Sequence, residues 1–244
     1  VPIWRGDIWG DELEKLAAAS FARGNGTVLD GVRYTPDLEG YDAIAADLDA
    51  RVAGAVAAHG KERVAVYLVS LDEADRMMEA ALATENLPKV RWYGCDGNVL
   101  LDSLATGEPA RFAEQTKFTC PALWNQKSVA SNTATIQKMR ELLGRHPDGY
   151  GLATYDALWI VTMARTQTGT ADVAMLKTAL EKTAGESGGP LFGPAHLNGA
   201  GDRSNAHYTF WTVNADGDAY RWVPIVQYGI ASAGATPELE WVGA

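Results

Sequence analysis

Apolar, β-branched segments alternate with helix-forming segments at a spacing of about 30 residues through the first half of the chain. The predicted strands cover residues 1–4, 27–34, 64–69, 90–93 and 116–120. The helical patterns between them cover residues 11–22, 41–58, 73–83 and 100–113. Strands that alternate with helices form βαβ units with right-handed crossovers. The pattern therefore predicts an α/β fold with a parallel sheet.

Helical periodicity in the first of these segments puts four apolar side chains on one stripe, namely Leu13, Leu16, Ala17 and Phe21. Such a stripe predicts a helix face that packs on the sheet.

The pattern changes after Pro121. Residues 128–145, 150–165 and 172–183 predict three successive helices with no strand between them. A loop rich in Gly and Pro follows at 185–203, and then two strands at 208–213 and 220–226, joined by an Asp-Gly hairpin signal. Three amphipathic helices without a sheet need a partner surface, which this chain hardly supplies.

The fourth predicted strand runs into Cys95, Asp96 and Gly97. In open α/β sheets ligands bind outside the carboxyl ends of the strands, so Asp96 is a candidate ligand contact. The alternative is that Asp96 only caps the following helix. Trp9 lies between the first strand and its helix, where a large ring either faces a ligand or joins the core.

Charge and composition narrow the classes of function. The net charge is -10, which disfavours nucleic acid and anionic membrane surfaces as partners. No apolar run approaches the ~20 residues that span a bilayer. The four histidines share no metal spacing, and no phosphate-binding glycine motif follows a strand, so the sequence predicts neither metal nor cofactor.

Residues 185–191 (GESGGPL) resemble the nucleophile loop of trypsin-like serine proteases, and His59 and Asp102 complete a possible triad with Ser187. The context disfavours this hydrolase, since those proteases are all-β and His59 ends a predicted helix. A nucleophile elbow also needs a strand before the serine and a helix after it.

Four motifs in order resemble the type I periplasmic solute-binding proteins, the branched-chain amino acid-binding family. They are RGDIWG at 5–10, YGCDG at 93–97, ATYDA at 153–157, and the pair GPLFG at 189–193 with NGAGDR at 198–203. The resemblance covers about residues 1–228.

The resemblance implies an extracytoplasmic protein, periplasmic or extracellular, that binds a small solute between two lobes. It would deliver the solute to the membrane subunits of an ABC transporter, without catalysis. Residues 1–121 plus 208–244 would form the second lobe, and 122–207 part of the first. The N-terminal part of the first lobe would lie before Val1, with a lipid anchor as one option, and would cover the three helices.

The family's ligand contacts fall on four residues here. Trp9 would be an aromatic wall, Ser70 would follow the third strand, Asp96 would bind the ligand's ammonium, and Tyr155 would complete the set. Ser70 departs from the aromatic residue common in amino acid binders, and Cys95 before Asp96 is also unusual.

Two further alternatives stay open. The same fold can serve as the ligand-sensing domain of a receptor or regulator, which a fused signalling domain would reveal. Cys95 and Cys120, at the ends of neighbouring predicted strands, are either two buried thiols or one disulfide.

Overall fold

Strands and helices alternate through the first half of the chain, as their spacing predicts. A computed structural model describes residues 1–123, 132–144, 147–169, 171–231 and 235–242. The chain divides into two compact units. The first unit contains Val1–Pro121 and Phe210–Pro224, and the second contains Ala122–Thr209 and Ile225–Ala244.

The first unit is built on a sheet whose strands are β1 (Pro2–Arg5), β2 (Val32–Tyr34), β3 (Ala65–Val69), β4 (Arg91–Gly94) and β5 (Thr119–Leu123), joined by parts of β6 (Ala206–Asp216) and β7 (Ala219–Ile230). Its strand order is β2-β1-β3-β4-β5-β6-β7. The pairs β1–β2, β1–β3, β3–β4 and β4–β5 are parallel. The predicted parallel sheet is therefore confirmed.

The helices of the first unit are α1 (Ile8–Arg23), α2 (Asp42–His59), α3 (Ala74–Leu82) and α4 (Gly107–Gln115). The chain leaves β1 toward β2, reverses across β1 to β3, and continues to β4 and β5. Right-handed crossovers then put α1 on one face of the sheet and α2, α3 and α4 on the other. The main core lies on the second of these faces and includes Leu48, Met77, Trp92, Phe112 and Phe118.

The predicted apolar stripe of α1 is only partly covered. Leu16 and Phe21 are 61% and 59% exposed. Because α1 is the helix on its face of the sheet, the neighbouring strands leave an apolar groove of about 500 Å³. Phe21, Tyr67 and Tyr93 line this groove near the amino ends of β3 and β4. Helical periodicity thus predicted the stripe, and part of it stays exposed beside this groove.

The second unit contains α5 (Thr133–Leu143), α6 (Gly149–Thr168) and α7 (Val173–Glu186), with parts of β6 and β7 and with β8 (Glu238–Trp241). Helices α6 and α7 pack against each other. The predicted start of the helix before α6, at residue 128, lies outside the described residues.

Among the described residues, three boundaries differ from the predictions by five residues or more. Residues 225–244 belong to the second unit, because β7 continues to Ile230 and pairs antiparallel with β8. Strand β2 begins only at Val32 rather than at 27. The helix predicted for 100–113 is Gly107–Gln115, preceded by a turn and a short 3₁₀ segment, Asp102–Ala105.

Candidate functional site at the carboxyl ends of the parallel strands

The carboxyl ends of three adjacent strands bring Trp9, Ser70 and Asp96 to one edge of the first unit. Trp9 follows β1, Ser70 follows β3 and Asp96 follows β4. Because β1, β3 and β4 are parallel neighbours, the segments that leave them emerge at the same edge of the sheet.

The turn that carries Asp96 is held by Asn98, which is fully buried. The side-chain oxygen of Asn98 accepts a hydrogen bond from the Cys95 amide at 3.1 Å. Its Nδ2 donates to the carbonyl oxygen of Ser70 at 2.7 Å and to the Ser70 hydroxyl at 2.8 Å. The turn after β4 is thus bonded to the loop after β3.

Gly97 is where Trp9 and Ser70 meet this turn. A Cβ atom on Gly97 would lie 2.6 Å from the Ser70 carbonyl oxygen and 3.1 Å from the Trp9 ring. Both distances are shorter than ordinary van der Waals contact. The backbone approach therefore requires glycine at this position, and it brings three predicted contacts together.

Asp96 does not cap a helix. Residues 96–100 form a turn, and α4 begins only at Gly107, after Thr106. The 3₁₀ segment between them follows Leu101, which makes no side-chain cap. The capping alternative was therefore wrong, because Asn98 organises a turn where a helix was expected.

The same edge exposes apolar surface. Asp7 caps α1 through a 2.8 Å bond from the Gly10 amide to its Oδ1, which fixes the first turn of the helix. Trp9 in that turn is 37% exposed, Ile8 is 87% exposed, and Leu71 after β3 is 38% exposed. Exposed apolar side chains beside a carboxylate suit a ligand that has an apolar part and a cationic part.

A buried ion pair lies directly behind these groups. Glu73 is 5% exposed, and its carboxylate accepts hydrogen bonds from Arg5 and from the Tyr34 hydroxyl. Burial, with the Glu73 charge beside it, raises the pKa of Tyr34, which therefore stays a neutral donor. Arg5 also pairs with Asp7 at 2.6 Å. The Arg5 guanidinium is thus shared between the buried Glu73 carboxylate and Asp7.

Sequence reasoning missed Asn98 and Glu73. The signal for Asn98 was its position three residues after Cys95 in a turn, where an Asn side chain bonds the preceding backbone. Glu73 was taken as the start of a helix, and nothing in the local pattern distinguishes a surface glutamate there from a buried one.

The two cysteines are free, buried thiols. The Sγ atom of Cys95 lies 3.4 Å from the Ser70 carbonyl oxygen and 3.4 Å from Asn98 Oδ1. Burial raises the pKa of Cys95 to about 11, so it remains a thiol at neutral pH. Of the two alternatives for the cysteines, the structure has the pair of thiols.

Tyr155 lies in the second unit, on α6. It is half-buried and packs against the cluster of Leu152, Leu191 and Phe192. The next residue, Asp156, accepts hydrogen bonds from the amides of Leu191 and Phe192 at 2.9 and 2.7 Å. The ATYDA motif thus anchors the loop that contains the GPLFG motif.

The residues of the hydrolase alternative do not form a triad. His59 ends α2 just before the amino end of β3, whereas Asp102 follows the carboxyl end of β4. Since β3 and β4 are parallel, these two residues lie at opposite ends of the sheet. Ser187 follows a helix, α7, and is exposed. A nucleophile elbow has the reverse order of elements.

Within the residues that the structure describes, no group of three or more His, Cys, Asp or Glu side chains could hold a metal ion. Nor is any helix among them long and apolar enough to cross a membrane.

No family model matches the chain. One relative is an uncharacterized protein of Methanocaldococcus jannaschii, which is 25% identical over 238 residues. The match covers 89% of this chain and 53% of the relative.

Solved structures similar to this chain are type I periplasmic binding proteins. A leucine-binding protein of Thermotoga maritima has a TM-score of 0.63 and 14% identity, over 91% of this chain and 59% of that one. A solute-binding protein of an ABC transporter from R. palustris, solved with benzoate, has a TM-score of 0.62 and 19% identity, over 96% and 59%.

A periplasmic binding protein of Burkholderia mallei has a TM-score of 0.68 and 14% identity, over 91% of this chain and 56% of that one. The predicted α/β fold of the type I periplasmic binding proteins is thereby confirmed. The chain spans a little over half the length of the proteins it matches.

Proposed function

We propose that this chain is part of an extracytoplasmic solute-binding protein of an ABC importer, and that it binds a small amino-acid-like or amine-bearing solute. The observation that carries the proposal is the meeting of Trp9, Ser70 and the Asp96 turn at the carboxyl edge of a parallel sheet. Such edges are where open α/β sheets bind their ligands.

In this proposal Asp96 accepts a charge-assisted hydrogen bond from the ligand's ammonium group. Trp9 covers an apolar or cationic part of the ligand, since an indole face attracts both. Ser70 is 1% exposed and bonded to Asn98, so its part is to shape the site beside Asp96. The contact predicted for Tyr155, which belongs to the second unit, stays a prediction.

The proposal needs no cofactor, metal or catalytic residue. It puts the protein in the periplasm or outside the cell, where it would pass its solute to the membrane subunits of the importer. The similar structures support a solute-binding role by their fold, one of them being called a leucine-binding protein and another solved with benzoate.

The test is calorimetric titration of the full-length protein with L-leucine, benzoate and an amine that lacks a carboxylate, such as putrescine. An amine-bearing probe should bind, and Asp96→Asn should weaken it at least about tenfold, a loss of about 1.4 kcal/mol. Asp102→Asn is the matched control, because it removes the same charge from an exposed position farther along the same segment.

Three results would count against the proposal. Binding of benzoate alone would remove the amine from the proposed ligand. Equal loss of affinity in Asp96→Asn and Asp102→Asn would reduce the role of Asp96 to general electrostatics. Unchanged affinity in Asp96→Asn would remove Asp96 from the site.

A further inference from the structure

The segment 70–73, here called the β3 loop, is bonded on both sides by buried side chains. Glu73 closes the loop on itself, since its Oε2 accepts the Leu71 amide at 3.2 Å. The same carboxylate reaches the two strands on one side of β3. It accepts the Tyr34 hydroxyl at 2.8 Å and Arg5 Nη1 at 3.0 and 3.2 Å. One carboxylate therefore ties the ends of β1 and β2 to the β3 loop.

Asn98 ties the strand on the other side to the same loop. It bonds the Ser70 carbonyl and hydroxyl with its amide nitrogen, and the Cys95 amide with its oxygen. Since Asn98 is 0% exposed, water cannot replace these bonds without opening the turn. The β3 loop is thus the shared point of two hydrogen-bond networks that join the ends of four strands.

Sheet hydrogen bonds fix the strands but not the segments beyond their ends. Those segments carry Trp9, Ser70 and Asp96, and loops without such bonds are the mobile parts of α/β proteins. A buried carboxylate and a buried amide are costly unless every polar atom has a partner. Here both have partners, namely the ends of β1 and β2 for Glu73 and the segments with Ser70 and Cys95 for Asn98.

We propose that Glu73 and Asn98 are positioning residues, which hold the β3 loop and the Asp96 turn in their binding arrangement before any ligand arrives. The first unit would then carry Trp9, Ser70 and Asp96 in a preformed arrangement, and a ligand would not lose affinity by ordering these loops. The link to ligand binding rests on the proposed function, whereas the locking of the loops does not.

Cys95 offers a reporter of this locking that needs no ligand. Its Sγ atom sits between the Ser70 carbonyl and Asn98, so a thiol reagent reaches it only when the turn opens. Cys120 is fully buried in the core of the same unit, on the inner side of Gly94, and reports openings that reach this core. Both labelling rates can be read in one sample by peptide mass spectrometry after N-ethylmaleimide treatment.

Asn98→Ala should raise the labelling rate of Cys95 at least about tenfold and that of Cys120 by much less, because Cys120 lies deeper in the core. The matched control is Asp49→Ala. The Asp49 carboxylate accepts three bonds, from the Asn86 and Leu87 amides at 2.7 and 3.0 Å and from Asn86 Nδ2 at 2.9 Å. These lie before the amino end of β4, so the control should not accelerate Cys95 relative to Cys120.

Glu73→Gln provides a second, milder variant. It keeps the shape of the side chain but replaces one of the two acceptor oxygens and removes the charge that pairs with Arg5. We expect faster labelling of Cys95 here too, to a smaller extent than in Asn98→Ala, because Glu73 reaches Cys95 only through the β3 loop. If both variants accelerated the labelling of Cys95 and Cys120 equally, or accelerated neither, the β3 loop and the Asp96 turn would not be held by Glu73 and Asn98.

Association kinetics then test whether the locking serves binding. Stopped-flow fluorescence with L-leucine and benzoate on the full-length protein gives both rate constants. If only a fraction of a variant has its loops in place, its apparent affinity falls by that fraction. The association rate constant should fall about tenfold in Asn98→Ala while dissociation stays unchanged, whereas Asp49→Ala should change neither.

The outcomes separate the two proposals. If the wild type binds neither probe, the proposed function fails for these ligand classes, and the cysteine labelling still decides whether the loops are locked. If the wild type binds and the variants expose Cys95 without a slower association, the loops are locked for stability alone and Glu73 and Asn98 are not positioning residues.

Discussion

The two units bury their helices very differently. In the first unit α2, α3 and α4 pack on the sheet and share one continuous core. In the described part of the second unit, the buried apolar residues form two small clusters, Leu152 with Leu191 and Phe192, and Ile160 with Ala184 and Ala195. The helices there leave Leu158, Trp159 and Val173 at 64%, 47% and 80% exposure.

This difference shows what an amphipathic pattern can and cannot predict. Helical periodicity identifies the helix, but burial of its apolar face depends on a surface that local sequence does not encode. The sheet supplies that surface for α2, α3 and α4. We therefore expect the first unit to provide most of the chain's stability.

Among the truncations to alanine and the glycine substitutions, Trp92→Ala should lower the stability of the chain the most. The ring of Trp92 is fully buried, meets Phe112 edge-on at 5.0 Å between centroids, and donates to the Leu87 carbonyl at 3.0 Å. Truncation should cost about 3–5 kcal/mol of unfolding free energy, measured by urea denaturation. Leu152→Ala is the comparison in the second unit and should cost less, because its cluster is small. An equal or larger cost would contradict the difference between the units.

Gly97→Ala should have the next largest effect. The added Cβ would meet the Ser70 carbonyl and the Trp9 ring, so the turn or the β3 loop must shift. We expect a loss of about 1–3 kcal/mol, as for other overpacked sites, together with weaker binding of any ligand that contacts Trp9. Gly54→Ala, on α2 with open space around it, should not destabilise the protein. If Gly97→Ala unfolded like wild type, the close approach would be wrong.

The sequence predicted most of the first unit and three of the residues at its carboxyl edge. Strands β1, β3, β4 and β5 lie within a few residues of their predicted positions, because apolar β-branched runs and their spacing are local signals. The meeting of these three residues could be predicted because the carboxyl ends of parallel strands lie at one edge of the sheet, whatever the conformation of the loops beyond them.

The conformation of the segments beyond the strand ends could not be predicted. Leu100 has a φ angle of 60°, and the helix begins only at Gly107. The turn before them is held by Asn98 bonding to Ser70, a contact between residues 28 positions apart. The role of Glu73 depends on Tyr34, 39 positions away. Side-chain contacts at such separations leave no pattern in a single sequence.

One carboxyl group in each unit should contribute to stability, and the two contributions should have opposite pH dependence. Burial raises the pKa of Asp156 in the second unit, and hydrogen bonds from the Leu191 and Phe192 amides offset this only in part. In the first unit burial also opposes ionisation of Asp49, but the bonds from Asn86 and Leu87 outweigh it and lower its pKa. The ordinary value for both is 3.8.

The sign of each pH dependence follows from the difference in proton binding between the native and the unfolded state. The native state takes up the Asp156 proton at a higher pH than the unfolded state, so its contribution to stability is present below 3.8 and is lost as pH rises through the native pKa. The contribution of Asp49 is present above 3.8 and is lost as pH falls through its lowered native pKa.

Urea denaturation between about pH 4 and 7 should therefore show a pH-dependent difference from wild type for Asp156→Asn and a constant difference for Asp49→Asn. Relative to wild type, Asp156→Asn should become more stable as pH rises, because wild type loses the contribution of Asp156. The stability of Asp49→Asn relative to wild type should stay constant over this range. Parallel pH dependence of the two variants would contradict the assigned pKa directions.

The smallest effect on stability should come from a charge placed on the exposed face of α6. Leu158 is 64% exposed, so Leu158→Lys should change the unfolding free energy by no more than about 0.5 kcal/mol. It should also reduce binding of an apolar dye, because exposed apolar patches bind such dyes and promote association.

Met77→Lys on α3 is the counterpart, since Met77 is fully buried and a charge there has no partner. That variant should fail to fold or melt far below wild type. If Leu158→Lys destabilised the protein as Met77→Lys does, the face of α6 that carries Leu158 would be buried in solution. A melting temperature that depends on protein concentration would then show that a second copy of the chain packs against this face.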